Sequence, residues 1–181
     1  MRIDKIQGRY ILLILLVLIS ISTYIQMGIY EKFLPQFSDF IQEYLISILL
    51  VSVVIQLFIL LIVLGIETFS LFLAVTLFLK RDSYLGQYVN VVLLSMVLVY
   101  VINIFISLYY LPLVDDVETV YRIVIASPVN YLLKPLVVLF LLYQQGLISK
   151  RPLEWLTVGG VYLAVTYLPG VLLLSFFRIV G

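Results

Sequence analysis

The sequence predicts an all-α fold, a polytopic integral membrane helical bundle with about five transmembrane helices. Of the 181 residues, 64% are hydrophobic and 12% are charged, and the mean hydropathy is +1.22. Apolar stretches long enough to cross a bilayer, whose core needs about 20 apolar residues per helix, begin near Tyr10, Tyr44, Gly86, Pro128 and Leu153. The polar linkers between them are shorter than about 20 residues, too short for a separate folded domain. We therefore predict a single transmembrane domain over residues 1–181.

The predicted helices follow these apolar stretches. In chain order they cover residues 10–30, 40–78, 86–110, 128–145 and 153–177. Capping residues support two of the boundaries, because Gly146 suits the end of the fourth helix and Pro152 suits the first turn of the fifth. Between the third and fourth helices, apolar residues recur at helical spacing from Val117 to Val124. This pattern predicts a short helix over residues 116–126 that lies in the membrane interface.

The second stretch is longer than one crossing needs. About 38 residues form a helix roughly 57 Å long, against a hydrocarbon thickness of about 30 Å. The stretch therefore forms either one long helix or a hairpin that turns near Gly65. With one crossing, most of the basic residues lie on the same side of the membrane, namely Arg2, Lys5, Arg9, Lys80, Arg81, Lys150 and Arg151. The positive-inside rule then favours five crossings, with the N-terminus in the cytoplasm and the C-terminus outside. The surplus length is expected to protrude, to tilt or to break near Gly65.

The composition excludes several kinds of chemistry. The chain has no Cys and no His, so it has neither a thiolate nucleophile nor the Cys and His ligands of zinc, haem and iron–sulfur sites. A net charge of +1 argues against a nucleic-acid partner. The sequence also has no Gly-rich phosphate loop and no paired-carboxylate motif. We therefore expect no enzyme activity, no catalytic residue, no cofactor and no metal site.

Two ionisable residues, Glu67 and Lys134, lie deep within apolar segments and at comparable depth. A charge in lipid costs roughly 2.5–3.5 kcal/mol on insertion scales, so each side chain is expected to face protein or water. Pairing the two would remove much of that cost. Two interpretations stay open: a structural ion pair that fixes the packing of the second and fourth helices, or an ion, proton or polar-substrate site that also includes Asn130.

Gly and Pro residues predict four interruptions within the apolar helices, at Gly65, Pro135, Pro169 and Gly170. Proline removes a backbone donor and leaves a carbonyl of the preceding turn without its helical partner. Such carbonyls at membrane depth often line ion or substrate cavities. The alternative is an ordinary kink, because both residue types are common in membrane helices.

Two short basic turns carry a resemblance to a known family. The first is Leu77-Phe78-Leu79-Lys80-Arg81-Asp82-Ser83-Tyr84, and the second is Gly146-Leu147-Ile148-Ser149-Lys150-Arg151. With the helices around them, over residues 51–180, the layout resembles the Yip1-domain family of five-helix membrane proteins. The resemblance implies a non-enzymatic protein that acts through partners or on membrane organisation, and it assigns a role to no single residue.

Two functions follow from these observations. The first is a non-catalytic accessory or structural subunit that binds partners in a larger membrane assembly. The alternative is a small solute or ion transporter, or the substrate-capturing membrane component of a transporter with a separate motor. The expected partners are the lipid bilayer and either other membrane subunits or further copies of this chain. A water-accessible cavity that reaches Glu67 or Lys134 from one side would favour transport, whereas a dry, filled interior would count against it.

Overall fold

A computed structural model describes residues 8–33, 38–110, 113 and 132–180, with the side chains of residues 9, 29–31, 33 and 168–180 left out. Every regular element in these ranges is helical, and none is a β-strand. The elements are α1 (Gly8–Phe33), α2 (Ser38–Glu43), α3 (Leu45–Leu73), a π-helical turn (Ala74–Phe78), α4 (Leu85–Tyr110), α5 (Lys134–Gln144) and α6 (Pro152–Val180). The all-α prediction is therefore confirmed.

Among the residues that the structure describes, three helices are long and apolar enough to cross a membrane. They include Tyr10–Gly28, Leu45–Phe78 and Leu85–Tyr110, whereas α5 is a shorter apolar helix. Only 11% of the residues in an apolar 18-residue stretch of the Leu45–Phe78 span are buried inside the bundle. Most of this segment therefore presents apolar side chains outward, as a helix does when its solvent is lipid.

The second predicted stretch is one nearly continuous rod. At Tyr44, between α2 and α3, the backbone N–H still bonds the carbonyl of Phe40 at 3.0 Å, and the Tyr44 carbonyl accepts from Ile48 N–H at 2.9 Å. The hairpin and the break considered at Gly65 are both wrong, because α3 is unbroken from Leu45 to Leu73. Gly65 is exposed, and nothing packs within 4 Å of the place where its Cβ would be. No water competes for its backbone hydrogen bonds in lipid, so glycine alone does not end the helix.

The predicted proline interruptions also differ from the observed backbone. Pro135 lies in the first turn of α5, where a missing N–H leaves no helical hydrogen bond unmade. Residues 132–133 immediately before α5 form a π-type turn. The backbone of α6 continues through Pro169 and Gly170 to Val180, so that step does not end the last helix. The predicted interfacial helix over 116–126 lies outside the described residues.

The end of α5 follows the predicted glycine cap. Gly146 has φ +75°, a left-handed conformation that glycine adopts without steric cost. The N–H of Gly146 bonds Tyr143 O, and the N–H of Leu147 bonds Leu142 O, both at 3.0 Å. These two bonds form a Schellman motif, which stops α5 and reverses the chain toward α6.

Contacts near the ends of the helices show which ends lie together in the bundle. The first residue of α1 lies near the start of α4, because a Cβ on Gly8 would be 3.6 Å from Asn90 Oδ1. Arg81, just after the π-helical turn, bonds Glu154 at the start of α6. The start of α1 and the turns over residues 79–84 and 145–151 therefore lie at one end of the bundle. We call this the basic end, because it carries Lys80, Arg81, Lys150 and Arg151.

The tightest part of the core lies toward the basic end. Its side chains are at most 1% exposed and come from the π-helical turn and its neighbours, namely Leu71, Ala74, Val75, Tyr88, Val91, Val92, Val138, Leu142, Ile148 and Val158. The rings of Phe72 and Tyr88 pack edge to face, with centroids 6.0 Å apart. Helix α4 is the central element, since it packs against α1, α3 and α5.

Candidate functional site: a buried ion pair beside a polar cavity

Glu67 and Lys134 form an ion pair between α3 and α5. The Lys134 ammonium Nζ donates to Glu67 Oε1, and the two side chains are 12% and 1% exposed, respectively. The Tyr162 hydroxyl of α6 donates to the other carboxylate oxygen, Glu67 Oε2, at 2.9 Å. Each oxygen of the buried carboxylate thus has a donor, as a charge removed from water requires.

The local sequence explains how the three groups meet. On α3, Glu67 shares its inward face with Ser70 and Leu71, both buried, at the i+3 and i+4 positions expected of one helix face. Lys134 opens α5, so its long side chain extends from the helix start toward α3. Tyr162 is 0% exposed, and its phenol is long enough to reach Glu67 from α6. The ion pair therefore ties three helices together.

A cavity of about 330 Å³ lies beside this ion pair. Its polar lining comes from four helices and consists of Ser22, Gln26, Gln56, Tyr100, Asn103, Ser107 and Lys134. Its apolar lining consists of Ile59, Leu60, Val63, Met96, Val99 and Ile106. A mixed lining with several convergent polar groups is typical of a small-molecule site. In an otherwise apolar bundle, polar side chains at this depth mark water, a ligand or a helix contact.

The cavity lies in the half of the bundle away from the basic end. Its lining residues on α4, from Met96 to Ser107, are about 17–33 Å from the start of that helix at a rise of about 1.5 Å per residue. Ser22 and Gln26 are likewise in the second half of α1. Lys134 is about 15 Å from the basic end by the same measure, so it forms the deep end of the cavity. The close-packed core separates this point from the basic end.

A second polar cluster joins the two basic turns. Arg81 donates to Leu147 O at 2.9 Å and to Glu154 Oε1 at 3.0 Å. The backbone N–H of Ser149 donates to Glu154 Oε2 at 2.7 Å, and Trp155 Nε1 donates to Ser149 O at 2.8 Å. Arg81 therefore connects the end of the α3 segment to the start of α6.

This arrangement stabilises the charged form of Glu154, which lies in the first turn of α6 at the basic end. The hydrogen bond from the Ser149 backbone lowers the pKa of the Glu154 carboxyl below its ordinary value, and Arg81 and Arg151 lower it further. Burial acts in the opposite direction but is outweighed.

The structure brings together the two ionisable residues selected from the sequence, Glu67 and Lys134. The third member of the predicted site, Asn130, lies outside the described residues. Gly65 and Pro135 are not among the described residues that line the cavity.

Sequence reasoning missed most of the lining residues as a group. Polar residues at depth such as Gln56 and Asn103 are ordinarily interpreted as partners for hydrogen bonds between helices. A usable signal was present: Ser22 and Gln26 are four residues apart, and Tyr100, Asn103 and Ser107 follow i, i+3, i+7 spacing. Each set forms a polar stripe on one face of an apolar helix. Two such stripes indicate a shared polar space.

Comparisons with known proteins add no relative. The chain matches no protein-family model, no curated protein and no solved structure. The likeness to the Yip1-domain family therefore rests on the two basic turns and the helix layout alone.

Proposed function

We propose that this chain is a five-crossing integral membrane protein that binds a small polar solute in its cavity. It would act as a small transporter or as the substrate-capturing component of a transporter with a separate motor. The observation that carries the proposal is the polar cavity that reaches Lys134. A partner protein without a ligand has no need of such a space, whereas a solute site requires it.

The arrangement of polar and packed regions supports access from one side. The cavity occupies one half of the bundle, and the core between Lys134 and the basic end is filled by side chains at most 1% exposed. Placing the basic end in the cytoplasm satisfies the positive-inside rule. The cavity would then be reached from the outside, with the ion pair near the bilayer midplane.

Cysteine labelling tests whether the cavity holds water. Because the chain has no Cys, a single introduced thiol reacts without background. Val63 lines the cavity, whereas its neighbour Ile62 is 48% exposed on the outer surface. In lipid vesicles we expect Val63→Cys to react with methyl methanethiosulfonate at least about tenfold faster than Ile62→Cys, because the reactive thiolate forms only where water is present. Equal, slow rates at both positions would overturn the proposal.

A second candidate function is the non-catalytic accessory subunit, and the exposed length of α3 favours it. With the π-helical turn, this segment spans 34 residues, or about 51 Å, against a hydrocarbon core of about 30 Å. Ile46 near its start and Leu77 near its end are 75% and 64% exposed. Apolar surface beyond the hydrocarbon needs cover from tilt, from another subunit or from a second copy of this chain.

Native mass spectrometry after mild extraction distinguishes the two functions. A chain that retains a small molecule, alone or as a homo-oligomer, supports solute binding. Other subunits at fixed stoichiometry, with no small molecule, support the accessory role. Neither function involves catalysis by this chain.

A further inference from the structure

Among the described residues that line the cavity, the charge is of a single sign, which is positive. Lys134 is the only charged side chain among the described residues that line it. Its counter-ion Glu67 is 1% exposed and is not part of the lining. The cavity therefore meets the positive end of the ion pair, while the negative end is turned toward α6.

Two hydrogen-bond donors fix the position of the Glu67 carboxylate. Tyr162 bonds Oε2 at 2.9 Å, and Lys134 bonds Oε1. With both oxygens engaged, the carboxylate is fixed between α3, α5 and α6. A ligand in the cavity therefore reaches the Lys134 ammonium before it reaches the Glu67 carboxylate.

The ammonium keeps hydrogen-bonding capacity for a ligand. A lysine ammonium has three N–H donors and no acceptor. Within the described ranges of the chain, Glu67 is the one acceptor that Lys134 bonds. A carboxylate or phosphate oxygen is the ligand group that uses further ammonium donors best, because charge-assisted bonds are about twice as strong as neutral ones.

The rest of the lining suits the neutral part of a solute. Gln26 and Gln56 offer amide donors and acceptors from α1 and α3, and Ser22 and Ser107 offer hydroxyls. A volume of about 330 Å³ lies at the small end of the range of about 300–1,000 Å³ that is typical of ligand pockets. A cavity of this size suits a small organic acid.

We infer that the cavity selects a small solute bearing a carboxylate or phosphate group, which binds the Lys134 ammonium, while the neutral polar residues bind the remainder. This inference rests on the proposed function and adds the sign of the ligand's charge. Cations are disfavoured because the described residues at the deep end offer them a positive charge and no exposed carboxylate.

The experiment compares two thiol reagents of similar size and opposite charge at Val63→Cys. Val63 lines the cavity together with Lys134, so a thiol at this position reacts with ions that have entered the space that the ammonium faces. The reagents are anionic sulfonatoethyl methanethiosulfonate and cationic trimethylammonioethyl methanethiosulfonate. Each rate is divided by the rate for free mercaptoethanol, which removes intrinsic differences in reactivity. We expect the normalised anion rate to exceed the cation rate by roughly tenfold in vesicles of neutral lipid, because the potential of the ion pair acts on the two charges with opposite sign.

Removing the charge should remove the preference. In the Val63→Cys background, the Glu67→Gln, Lys134→Met variant leaves no buried charge and is expected to bring the ratio close to one. Lys134→Met alone leaves the Glu67 carboxylate without its counter-ion, so its ratio is expected to fall below one, in favour of the cation. Ser107→Cys, at the far end of the lining, should show a smaller preference because it is more distant from Lys134.

The outcomes separate this inference from the function on which it rests. Labelling at equal normalised rates, or faster labelling by the cation, would overturn the anion preference while leaving a water-filled cavity. No labelling of Val63→Cys by the neutral reagent would overturn the function itself. A preference that survives the double substitution would also overturn the role given to Lys134.

Protection experiments identify the source of the anionic group. Slower labelling of Val63→Cys on addition of succinate or inorganic phosphate supports a soluble solute. Slower labelling when phosphatidylglycerol replaces neutral lipid, with no effect of succinate or phosphate, would overturn the soluble-solute assignment and place a lipid headgroup at Lys134.

Discussion

At the scale of single residues, three helices meet at the buried carboxylate of Glu67. Glu67 is surrounded by apolar helices, where an unpaired charge would be strongly unfavourable. The ammonium of Lys134 and the hydroxyl of Tyr162 each satisfy one of its oxygens. Removing one partner therefore costs more than removing the whole pair, since a single substitution leaves a buried charge behind.

The first prediction is a double-mutant cycle on this pair. Glu67→Gln and Lys134→Met are each expected to lower the free energy of unfolding by about 3 kcal/mol, because each leaves the other charge without its counter-ion. The double variant should lie within about 1 kcal/mol of the wild type, since it retains no buried charge. Denaturant unfolding in detergent micelles measures all four proteins. Losses that simply add would show that the pairing does not stabilise the fold.

The residues of this site were predictable from the sequence to different degrees. Glu67 and Lys134 stood out because charges inside apolar segments are rare and their depth can be counted from the segment ends. Tyr162 did not, since the chain has 14 tyrosines and an aromatic residue in an apolar helix normally indicates packing. Its contact with Glu67 joins residues 95 positions apart, and helical spacing carries no information over that distance.

At the scale of elements, α6 approaches α5 through a glycine. A Cβ on Gly159 would lie 3.1 Å from Leu139 Cδ1, whereas nothing lies within 4 Å of the corresponding position on Gly160. The pair Gly159–Gly160 thus has one residue in the helix contact and one on the outer surface. Small residues at such contacts allow helix backbones to approach closely in membranes.

The second prediction uses this difference between neighbours. Gly159→Leu is expected to destabilise the protein by about 1–3 kcal/mol, because the new side chain must displace α5 or distort Leu139. Gly160→Leu should be neutral or slightly stabilising, since it adds a good helix former on an open face. Thermal unfolding in the same detergent compares the two. Equal destabilisation by both would contradict the observed packing of α6 on α5.

The third prediction concerns the basic end and pH. The folded-state pKa of Glu154 is lowered from its ordinary value of 4.5, so this group stabilises the fold above that value. The contribution is lost as pH falls through the lowered folded-state pKa. At pH 7 we expect Glu154→Gln to be less stable than the wild type by about 1 kcal/mol, and we expect the gap to narrow as the pH is lowered from 4.5 toward 3. Melting curves over this range measure it.

A matched acid-to-amide change provides the control for this pH dependence. Glu43→Gln alters an exposed carboxylate on α2, outside the contact between the two turns. It should therefore follow the wild-type curve from pH 7 to pH 3. A gap between Glu154→Gln and the wild type that stays constant from pH 7 to pH 3 would mean that the ionised carboxylate is not the stabilising group.

The positions of the helices were more predictable from the sequence than the irregularities within them. Long apolar runs predicted the helical segments, because a backbone in lipid must satisfy its hydrogen bonds within the helix. The same constraint explains why Gly65, Pro169 and Gly170 do not end their helices. The π-helical turn at Ala74–Phe78 had no signal in the sequence, since it is a local change in hydrogen bonding that depends on the packing of neighbouring helices.

At the scale of the whole molecule, the bundle is asymmetric along its axis. The basic end is close-packed and held by Arg81 and Glu154, whereas the half beyond Lys134 encloses the cavity. Helix directions place the turns over residues 79–84 and 145–151 together at the basic end. An arrangement in which only α1, α3 and α4 cross would instead place these two turns on opposite sides of the membrane.

The last prediction tests these two arrangements in cells. Tyr84→Cys and Lys150→Cys introduce single thiols into the two turns, and the native residues are both exposed. With five crossings and the basic end in the cytoplasm, a membrane-impermeant maleimide should label both only after the cells are permeabilised, whereas Gly181→Cys should be labelled in intact cells. A charged headgroup keeps the reagent out of the bilayer, so labelling reports the side of the membrane and not the depth of the thiol. Labelling of Lys150→Cys but not Tyr84→Cys in intact cells would mean that the segment between them crosses only once. The antiparallel pairing of α3 with α6, and with it the contact between Glu67 and Tyr162, would then not form in the membrane.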